Sequence, residues 1–175
     1  MTESHMTVRW GLAELPGLLH DLGVERPFLI ASDRWSHLDL PALGRWRDLP
    51  TDEIAEVAAA ARGCDGLLAV GGGSAIDVAK AVSVAARLRV VSVPTTYSGA
   101  ECTRSFGIKD PARRTKGGGY GAHTAAIVYE PALTLDLPAA ETSGTALNAL
   151  AHCAEALYVA GRNASGDDHA LAGRA

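Results

Sequence analysis

Short apolar runs alternate with amphipathic stretches along most of the chain. Runs rich in Val, Ile and Leu predict β-strands, and they cover residues 7–10, 27–31, 67–70, 90–93 and 125–129. Between these runs, apolar residues recur every three or four positions, which predicts helices, at residues 12–22, 51–63 and 75–86. Gly23 is expected to end the first helix, and Thr51 is expected to cap the second.

Strands that alternate with helices are typical of a mainly parallel sheet covered on both faces. The pattern therefore predicts an α/β protein with a Rossmann-like, doubly wound sheet. Residues 36–50 interrupt it and are predicted to be irregular, and residues 109–123 are predicted to be a polar, glycine-rich connection. From Pro138 onward the pattern becomes helical, with a further helix expected from Asp168 to Arg174. We therefore expect an α/β domain at residues 1–137 and the beginning of a helical domain at residues 138–175.

Composition indicates an ordinary globular domain. The chain has 175 residues, of which 47% are hydrophobic and 21% charged, and a formal net charge of −4. Mild acidity without a basic cluster argues against nucleic acid and anionic membranes as partners. No apolar run approaches the ~20 residues of a membrane span, and the N-terminus lacks the apolar segment of a signal peptide. Three widely spaced cysteines (Cys64, Cys102 and Cys153) indicate reduced thiols and a cytoplasmic protein.

A triple-glycine turn joins the strand at residues 67–70 to the helix that follows. Gly71, Gly72 and Gly73 allow the backbone to approach a ligand closely, and the helix N-terminus presents N–H groups that suit a phosphate. Ser74 is expected to be the N-cap, with Asp77 three residues later in a capping-box-like arrangement. The spacing matches neither G-x-G-x-x-G nor a Walker A loop. A tight turn with a purely structural role is the alternative interpretation.

A second loop, Pro94–Glu101, follows the next strand and is rich in hydroxyl groups, with Thr95, Thr96 and Ser98. Consecutive parallel strands place both loops at the carboxyl edge of one sheet, where ligands bind in open α/β folds. The sequence therefore predicts a ligand cleft between the two loops.

Together, GGGSAIDVAKA (residues 71–81) and PTTYSGAE (residues 94–101) resemble the iron-containing alcohol dehydrogenase superfamily. Within it they look most like the maleylacetate reductase branch, because metal-dependent members usually carry a loop one residue longer, PTTAGTGSE. The likeness continues in order through residues 107–108, 113–117, 127–135 and 143–158. It thus covers nearly the whole chain.

The resemblance implies hydride transfer from NAD(P)H to a small carbonyl or activated alkene, expected to be carboxylated. It implies that the pyrophosphate is held by Gly71, Gly72, Gly73 and Ser74. It also implies that the diphosphate and nicotinamide are lined by Thr95, Thr96 and Ser98, with Asp77 supporting the nicotinamide-side loop. Lys80 matches the motif too, either as a ligand contact or as a packed residue whose ammonium group meets a carboxylate or carbonyl.

Asp33 follows the strand at residues 27–31 and matches the superfamily's Asp at that place. A carboxylate there can accept hydrogen bonds from the ribose hydroxyls of NAD and would repel the 2′-phosphate of NADP. Arg34 beside it would soften that exclusion. The cofactor is therefore NAD or NADP, with NAD favoured. An Asx-turn or a helix cap is the alternative role for Asp33.

Asn148 and His152 lie four residues apart and share one face of a predicted helix, with Glu155 close to the same stripe. In metal-dependent members an Asp stands at the first position, and it binds Fe²⁺ or Zn²⁺ with that His and two histidines further on. A neutral amide is a poor ligand for such a metal, and downstream the chain offers only His169. We therefore expect no metal.

The metal-independent branch implies that Asn148 and His152 are the catalytic residues bordering the substrate. His152 would contact a substrate carboxylate or assist proton transfer. A histidine satisfied by Asn148 or Glu155 within its own helix is the alternative.

Full-length relatives carry a C-terminal helical domain that closes the cleft. We therefore expect a split enzyme whose helical partner subunit completes the site, with a homodimer as the fallback. A shortened piece of a longer chain is another explanation. Two other functions stay open. One is a non-catalytic nucleotide-binding or scaffold subunit, such as a remnant, and the other is a lyase or cyclase that uses NAD in a non-redox role, as the related dehydroquinate synthases do.

Overall fold

The computed structural model describes residues 6–157 as an α/β unit with an additional hairpin and a final helix. Its strands and helices are, in chain order, β1 (Thr7–Trp10), α1 (Leu15–Asp21), β2 (Pro27–Ile30), β3 (Gly44–Trp46), α2 (Ile54–Ala60), β4 (Gly66–Gly71), α3 (Gly73–Ala86), β5 (Arg89–Pro94), β6 (Ser105–Asp110), β7 (Thr115–Tyr120), β8 (Thr124–Tyr129) and α4 (Ala139–Ala156). In this part of the chain, no helix combines the length and apolar character needed to cross a membrane.

Six strands form one sheet in the order β1-β8-β5-β4-β2-β3, and every neighbouring pair is parallel. The central strands are buried along their length, as expected when helices cover both faces of a parallel sheet. The prediction of a Rossmann-like parallel sheet with flanking helices is therefore confirmed.

Two apolar clusters lie on opposite faces of this sheet. On one face α1 packs against alternate strand residues, with Leu15 and Leu18 meeting Leu68 and Val91. On the other face α2 and α3 cover the remaining set, which includes Ile30, Val57, Leu67, Ala69, Ile76 and Val82. Because side chains alternate along a strand, β2, β4 and β5 each contribute to both clusters.

Residues 36–50 were predicted to be irregular, and this is wrong at the short strand β3. Gly44, Arg45 and Trp46 pair with β2 at the edge of the sheet. A Cβ at Gly44 would lie 3.0 Å from the ring of Phe28, a tight contact that the glycine avoids. Three residues are too few to show a period of two, which hides such a strand from pattern analysis.

Most of the polar, glycine-rich connection predicted at residues 109–123 belongs to an antiparallel hairpin, β6–β7, whose two strands the sequence analysis did not predict. Its second strand, TKGGGY, is exposed throughout and has the glycine content of a loop. Tertiary contacts hold the hairpin: the Thr115 hydroxyl donates to Asp52 at 2.7 Å, and Arg113 donates to the same carboxylate at 3.2 Å. These contacts join residues about 60 positions apart, and local propensity does not report them.

Two helix boundaries differ from the predictions. The first helix begins at Leu15, after a 3₁₀ turn over Leu12–Glu14. Thr51 does not cap α2, which begins at Ile54, because its hydroxyl accepts the Glu53 N–H in a turn before the helix. The helix expected after Pro138 is observed as α4. The second predicted helix, Asp168 to Arg174, lies outside the described residues.

Candidate functional site

The turn between β4 and α3 meets the end of β5 at the carboxyl edge of the sheet. Gly71 pairs with Pro94 in the sheet register, and its carbonyl accepts the Thr95 N–H at 3.0 Å. Gly71 has a φ of +150°, a conformation that side-chain-bearing residues rarely adopt. The two loops therefore meet at this edge of the sheet, as the sequence predicted.

A cleft of about 980 Å³ opens between these loops, the hairpin and α4. All the predicted site residues except Asp33 and His152 line it. Those that do are Gly71, Gly72, Gly73, Ser74, Asp77, Thr95, Thr96, Ser98 and Asn148. Motifs separated by as many as 77 positions in the chain therefore contribute to one concave surface.

Gly71 and Gly72 are packed too closely for side chains. A Cβ at Gly72 would lie 2.9 Å from Thr96 Cγ2, and one at Gly71 would lie 2.9 Å from the Cβ of Ala75. The first turn of α3 begins directly beside this bare backbone, and its leading N–H groups lie outside the helix's own hydrogen-bond ladder. Bare backbone and a helix N-terminus facing a cleft fit the phosphates of a nucleotide.

The predicted capping arrangement at Ser74 is wrong. The N-cap is Gly72, because the chain has already turned at Gly71, and Ser74 lies in the first turn of the helix. The Asp77 carboxylate is engaged elsewhere: one oxygen lies 3.1 Å from Lys80 Nζ, and the other accepts the Gly107 N–H at 3.0 Å. Asp77 therefore links α3 to the hairpin rather than closing a capping box.

Lys80 is fully buried, and its ammonium group has three oxygen partners. It donates to the Ala100 carbonyl at 2.7 Å and to the Thr103 hydroxyl at 3.1 Å, and it pairs with Asp77. Of its two possible roles, the structure places it in the packed one. Lys80 holds the loop after β5 against α3.

The hydroxyl loop also contacts α4. The Tyr97 N–H donates to the Thr145 hydroxyl at 3.3 Å, and the Asn148 amide donates to the Ser98 carbonyl at 3.4 Å. Thr95 is buried, whereas Thr96 and Ser98 are half-buried at the cleft surface. Asn148 therefore reaches the cleft from the first helix beyond the sheet.

Asp33 begins a short 3₁₀ turn directly after β2 and does not line the cleft, although Ser32 and Arg34 on either side of it do. Its carboxylate accepts a hydrogen bond from Arg47 Nη1 at 2.7 Å. Sequence analysis did not find Arg47, because the pairing depends on β3. The predicted ribose ligand is thus already paired with a cation.

His152 lies exposed on α4, with its Nδ1 3.5 Å from a Glu155 carboxylate oxygen, and it does not line the cleft. A histidine that is paired with Glu155 within its own helix is the structural role that the sequence analysis gave as an alternative to catalysis. Within residues 6–157, no three His, Cys, Asp or Glu side chains converge on a point where a metal could bind. Asn148 and His152 together offer a neutral amide and one imidazole, and this pair does not fit Fe²⁺ or Zn²⁺.

A buried carboxyl group, Glu101, lies in the 3₁₀ turn at the end of the hydroxyl loop. Glu101 is 5% exposed; its Oε1 accepts the Tyr129 hydroxyl at 3.1 Å, and its Oε2 has no hydrogen-bond partner among the described residues. Burial raises the pKa of Glu101 above its usual range, although the bond from Tyr129 and the charge of Lys80 oppose this. Burial and the neighbouring Glu101 likewise raise the pKa values of Tyr129 and Cys102.

The hairpin adds two cations that the sequence analysis missed. Lys109 and Lys116 are paired across β6 and β7, and both line the cleft. The available signal was a pair of lysines in a glycine-rich stretch, which by itself is typical of a solvated loop. The two lysines reach the cleft because the hairpin lies over the start of α3. There the Gly107 N–H donates to the Asp77 carboxylate.

Comparison with known sequences identifies one family. The family described as iron-containing alcohol dehydrogenase matches residues 8–128. The maleylacetate reductase of Pseudomonas knackmussii is 35% identical over 162 residues, covering 84% of this chain and 46% of that protein. That of Sphingobium indicum is 39% identical over 112 residues, covering 63% and 32%. The chain thus spans about half the length, or less, of the curated relatives that it matches.

Solved structures give the same picture. The maleylacetate reductase of Agrobacterium tumefaciens superposes with a TM-score of 0.78 at 26% identity, covering 91% of this chain and 50% of that one. The sulfoacetaldehyde reductase of Bifidobacterium kashiwanohense, solved in complex with NAD⁺, has a TM-score of 0.76 at 20% identity, covering 87% and 52%. At that identity the second likeness concerns the fold alone.

Proposed function

Because the chain belongs to the iron-containing alcohol dehydrogenase family and resembles its maleylacetate reductases, we propose that it binds NAD(P)H and serves hydride transfer to a small carboxylated carbonyl or alkene. The observation that carries this proposal is the side-chain-free turn at Gly71–Gly73, which opens into α3 at the floor of the cleft. A protein of the same fold has been solved with NAD⁺. When bound, the cofactor supplies the hydride.

The proposal gives the chain's own residues distinct tasks. The turn and Ser74 bind the pyrophosphate with backbone N–H groups, and Lys116 on the hairpin, which also lines the cleft, adds positive charge. The diphosphate and nicotinamide are positioned by Thr95, Thr96 and Ser98. Asp33 meets the ribose. Asn148 borders the substrate from α4, and His152, further along the same helix, contacts its carboxylate or moves a proton.

The two parts of the chain divide this work. We assign nucleotide binding to residues 1–137, and we assign to residues 138–175 the beginning of a helical substrate domain. The supporting observation is that α4 contributes Glu141, Thr145 and Asn148 to the cleft wall without joining either buried cluster of the sheet.

We further propose chemistry that does not depend on a metal. Asn148 offers a neutral amide where a charged ligand is needed, and that amide donates to the Ser98 carbonyl. Elemental analysis of the purified chain should therefore find far less than one Fe or Zn per chain. One metal per chain, lost in His152→Ala, would contradict the proposal.

The test of nucleotide binding is a fluorescence titration of the chain with NADH. Gly72→Val should abolish binding, because the new side chain occupies the phosphate position and presses on Thr96. Ser74→Asp is the companion variant. A carboxylate in the first turn of a helix favours folding but repels the pyrophosphate, so the Kd should rise about tenfold or more.

Val84→Ala, at an exposed position on the same helix, is the control and should bind as the wild type does. Circular dichroism confirms that each variant is folded. Equal affinity for NADH in the wild type and in folded Ser74→Asp would refute the assignment.

A further inference from the structure

A second, smaller pocket lies at the amino edge of the sheet, at the opposite end of α3 from the cleft. It encloses about 300 Å³ between the end of α3 and the starts of β5 and β8. Because α3 has 14 residues, it separates this pocket from the cleft by about 20 Å. The two sites share no lining residue, and the proposed nucleotide binding uses none of this pocket.

The charge of the pocket is positive. Arg87, Arg89 and His123 line it, and no acidic side chain of residues 6–157 does. The parallel register pairs Val90 with Thr124, so Arg89 and His123 stand side by side just before them. In a chain with a formal net charge of −4, this is a local concentration of positive charge, which favours an anion.

The basic side chains keep hydrogen-bond donors that the chain does not use. Arg89 Nη1 donates to the Leu22 carbonyl after α1, which fixes the guanidinium and leaves its other N–H groups available. The Arg87 guanidinium has no hydrogen-bond or ion-pair partner among the described residues. Guanidinium N–H groups match the oxygens of a carboxylate or a phosphate, so the two arginines can bind either group.

The backbone at Arg87 is strained. Arg87 follows α3 in the left-handed conformation, with a φ of +57° and a ψ of +38°. Glycine is usual at such a position, because a Cβ there crowds the backbone. A cation would complement the carboxyl end of the helix dipole equally well from Val84 or Ala85, which are exposed and helical. The dipole therefore does not explain an arginine at the strained position, and such residues occur preferentially at functional sites.

The rest of the wall is mostly apolar. It includes Val84, Leu88, Ala122 and Ala125. An apolar surface beside two guanidinium groups suits a ligand that has both an acidic group and an apolar body. The volume lies at the lower end of that of ligand sites, which indicates a small molecule.

We propose that this pocket binds a small organic anion. Its carboxylate or phosphate group contacts Arg87 and Arg89, and its apolar body lies on Leu88 and Ala122. The site does not depend on nucleotide binding, so a chain that binds such an anion but not NADH would support this inference and refute the proposed function.

The experiment titrates the chain with 4-fluorobenzoate and with 4-fluorophenyl phosphate and follows the ¹⁹F NMR signal of each probe. At least one of them should bind with a Kd of about 1 mM or lower, and comparison of the two identifies the preferred acidic group. The uncharged 4-fluorobenzamide should bind at least about tenfold more weakly than the better anion.

Arg87→Gly separates binding from structure. The variant should raise the Kd of the better anion by about threefold or more, since exposed charge contacts are modest. It should also raise the Tm of the free chain, because glycine adopts a positive φ without strain. Arg114→Gly is the matched control. Arg114 also has a positive φ, +55°, but lies in the turn between β6 and β7, so its loss should leave the Kd unchanged.

Ser74→Asp tests the location, because it repels anions from the cleft and leaves this pocket intact. Its Kd for the better anion should equal that of the wild type, and weaker binding would assign the probe to the cleft and overturn the inference. The inference is also wrong if neither anion binds, if the benzamide binds as tightly as the anions, or if Arg87→Gly keeps the wild-type Kd.

Discussion

At the scale of single residues, the burial of Glu101 has a consequence for stability. A carboxyl group that is 5% exposed, with one oxygen bound to Tyr129 and the other without a partner among the described residues, is easier to bury neutral than charged. The raised pKa of Glu101 expresses this cost. Folding therefore opposes the ionisation of this group, and protein stability should depend on its proton.

Glu101→Gln tests that dependence. A raised folded-state pKa means that stability is fully present below the unfolded value, about 4.3, and is lost as pH rises through the folded value. The variant keeps an oxygen for Tyr129 and cannot ionise. Its free energy of unfolding relative to the wild type should therefore increase between pH 4 and pH 8, as measured by urea denaturation.

The control is Glu56→Gln, at an exposed position on α2, which should show no such trend. If the free energy of unfolding of Glu101→Gln differs from that of the wild type by the same amount from pH 4 to pH 8, the prediction is wrong.

At the scale of elements, predictability follows the range of the contacts. The strands that lead to Gly71 and Thr95 are buried and continuous, so local pattern and parallel order were enough to place both loops at one edge. The pairing of Asp33 with Arg47 depends on the register of a three-residue strand, and the position of Lys116 depends on a hairpin held by Asp77. Such placements are set by long-range pairing, which a local pattern does not encode.

Lys80 connects three elements, and its loss should be costly. Lys80→Met keeps the apolar stem but leaves the Asp77 carboxylate and the Ala100 carbonyl without their cation. Because Asp77 stays 21% exposed, we expect a loss of about 3 kcal/mol in the free energy of unfolding, at the low end for a broken buried pair. Urea denaturation measures it.

Lys109→Met, on the exposed hairpin, serves as the comparison and should change stability by about 0.5 kcal/mol or less. A similarly small change in Lys80→Met would show that the buried network does not hold these elements together.

At the scale of the whole molecule, α4 presents an apolar stripe to solvent. Leu147 is 64% exposed and Leu150 is 54% exposed, and residues three apart share one helix face. The curated relatives are longer than this chain by about half of their own length. We propose that a mostly helical partner, or a second copy of the chain, covers this stripe and closes the cleft, because an open site leaves the nicotinamide in water.

Sizing by light scattering tests this association, with the chain alone and co-expressed with the helical half of a maleylacetate reductase. Leu150→Glu should prevent the assembly that the wild type forms, because it places a charge in an apolar interface. Leu135→Glu, at an exposed leucine outside α4, should not. A monodisperse wild-type monomer that turns over substrate unaided would exclude the requirement for a partner.

The cleft results from the connectivity of the strands, independently of which side chains line it. After β2 the chain turns toward the face that contains Trp35 and α1, whereas after the neighbouring β4 it turns toward the face covered by α3. Two adjacent strands whose continuations diverge leave a crevice between them. Replacing the lining residues would therefore change what the crevice holds without removing it. The space for a ligand therefore comes with the connectivity of the strands, and the residues along it decide which ligand fits.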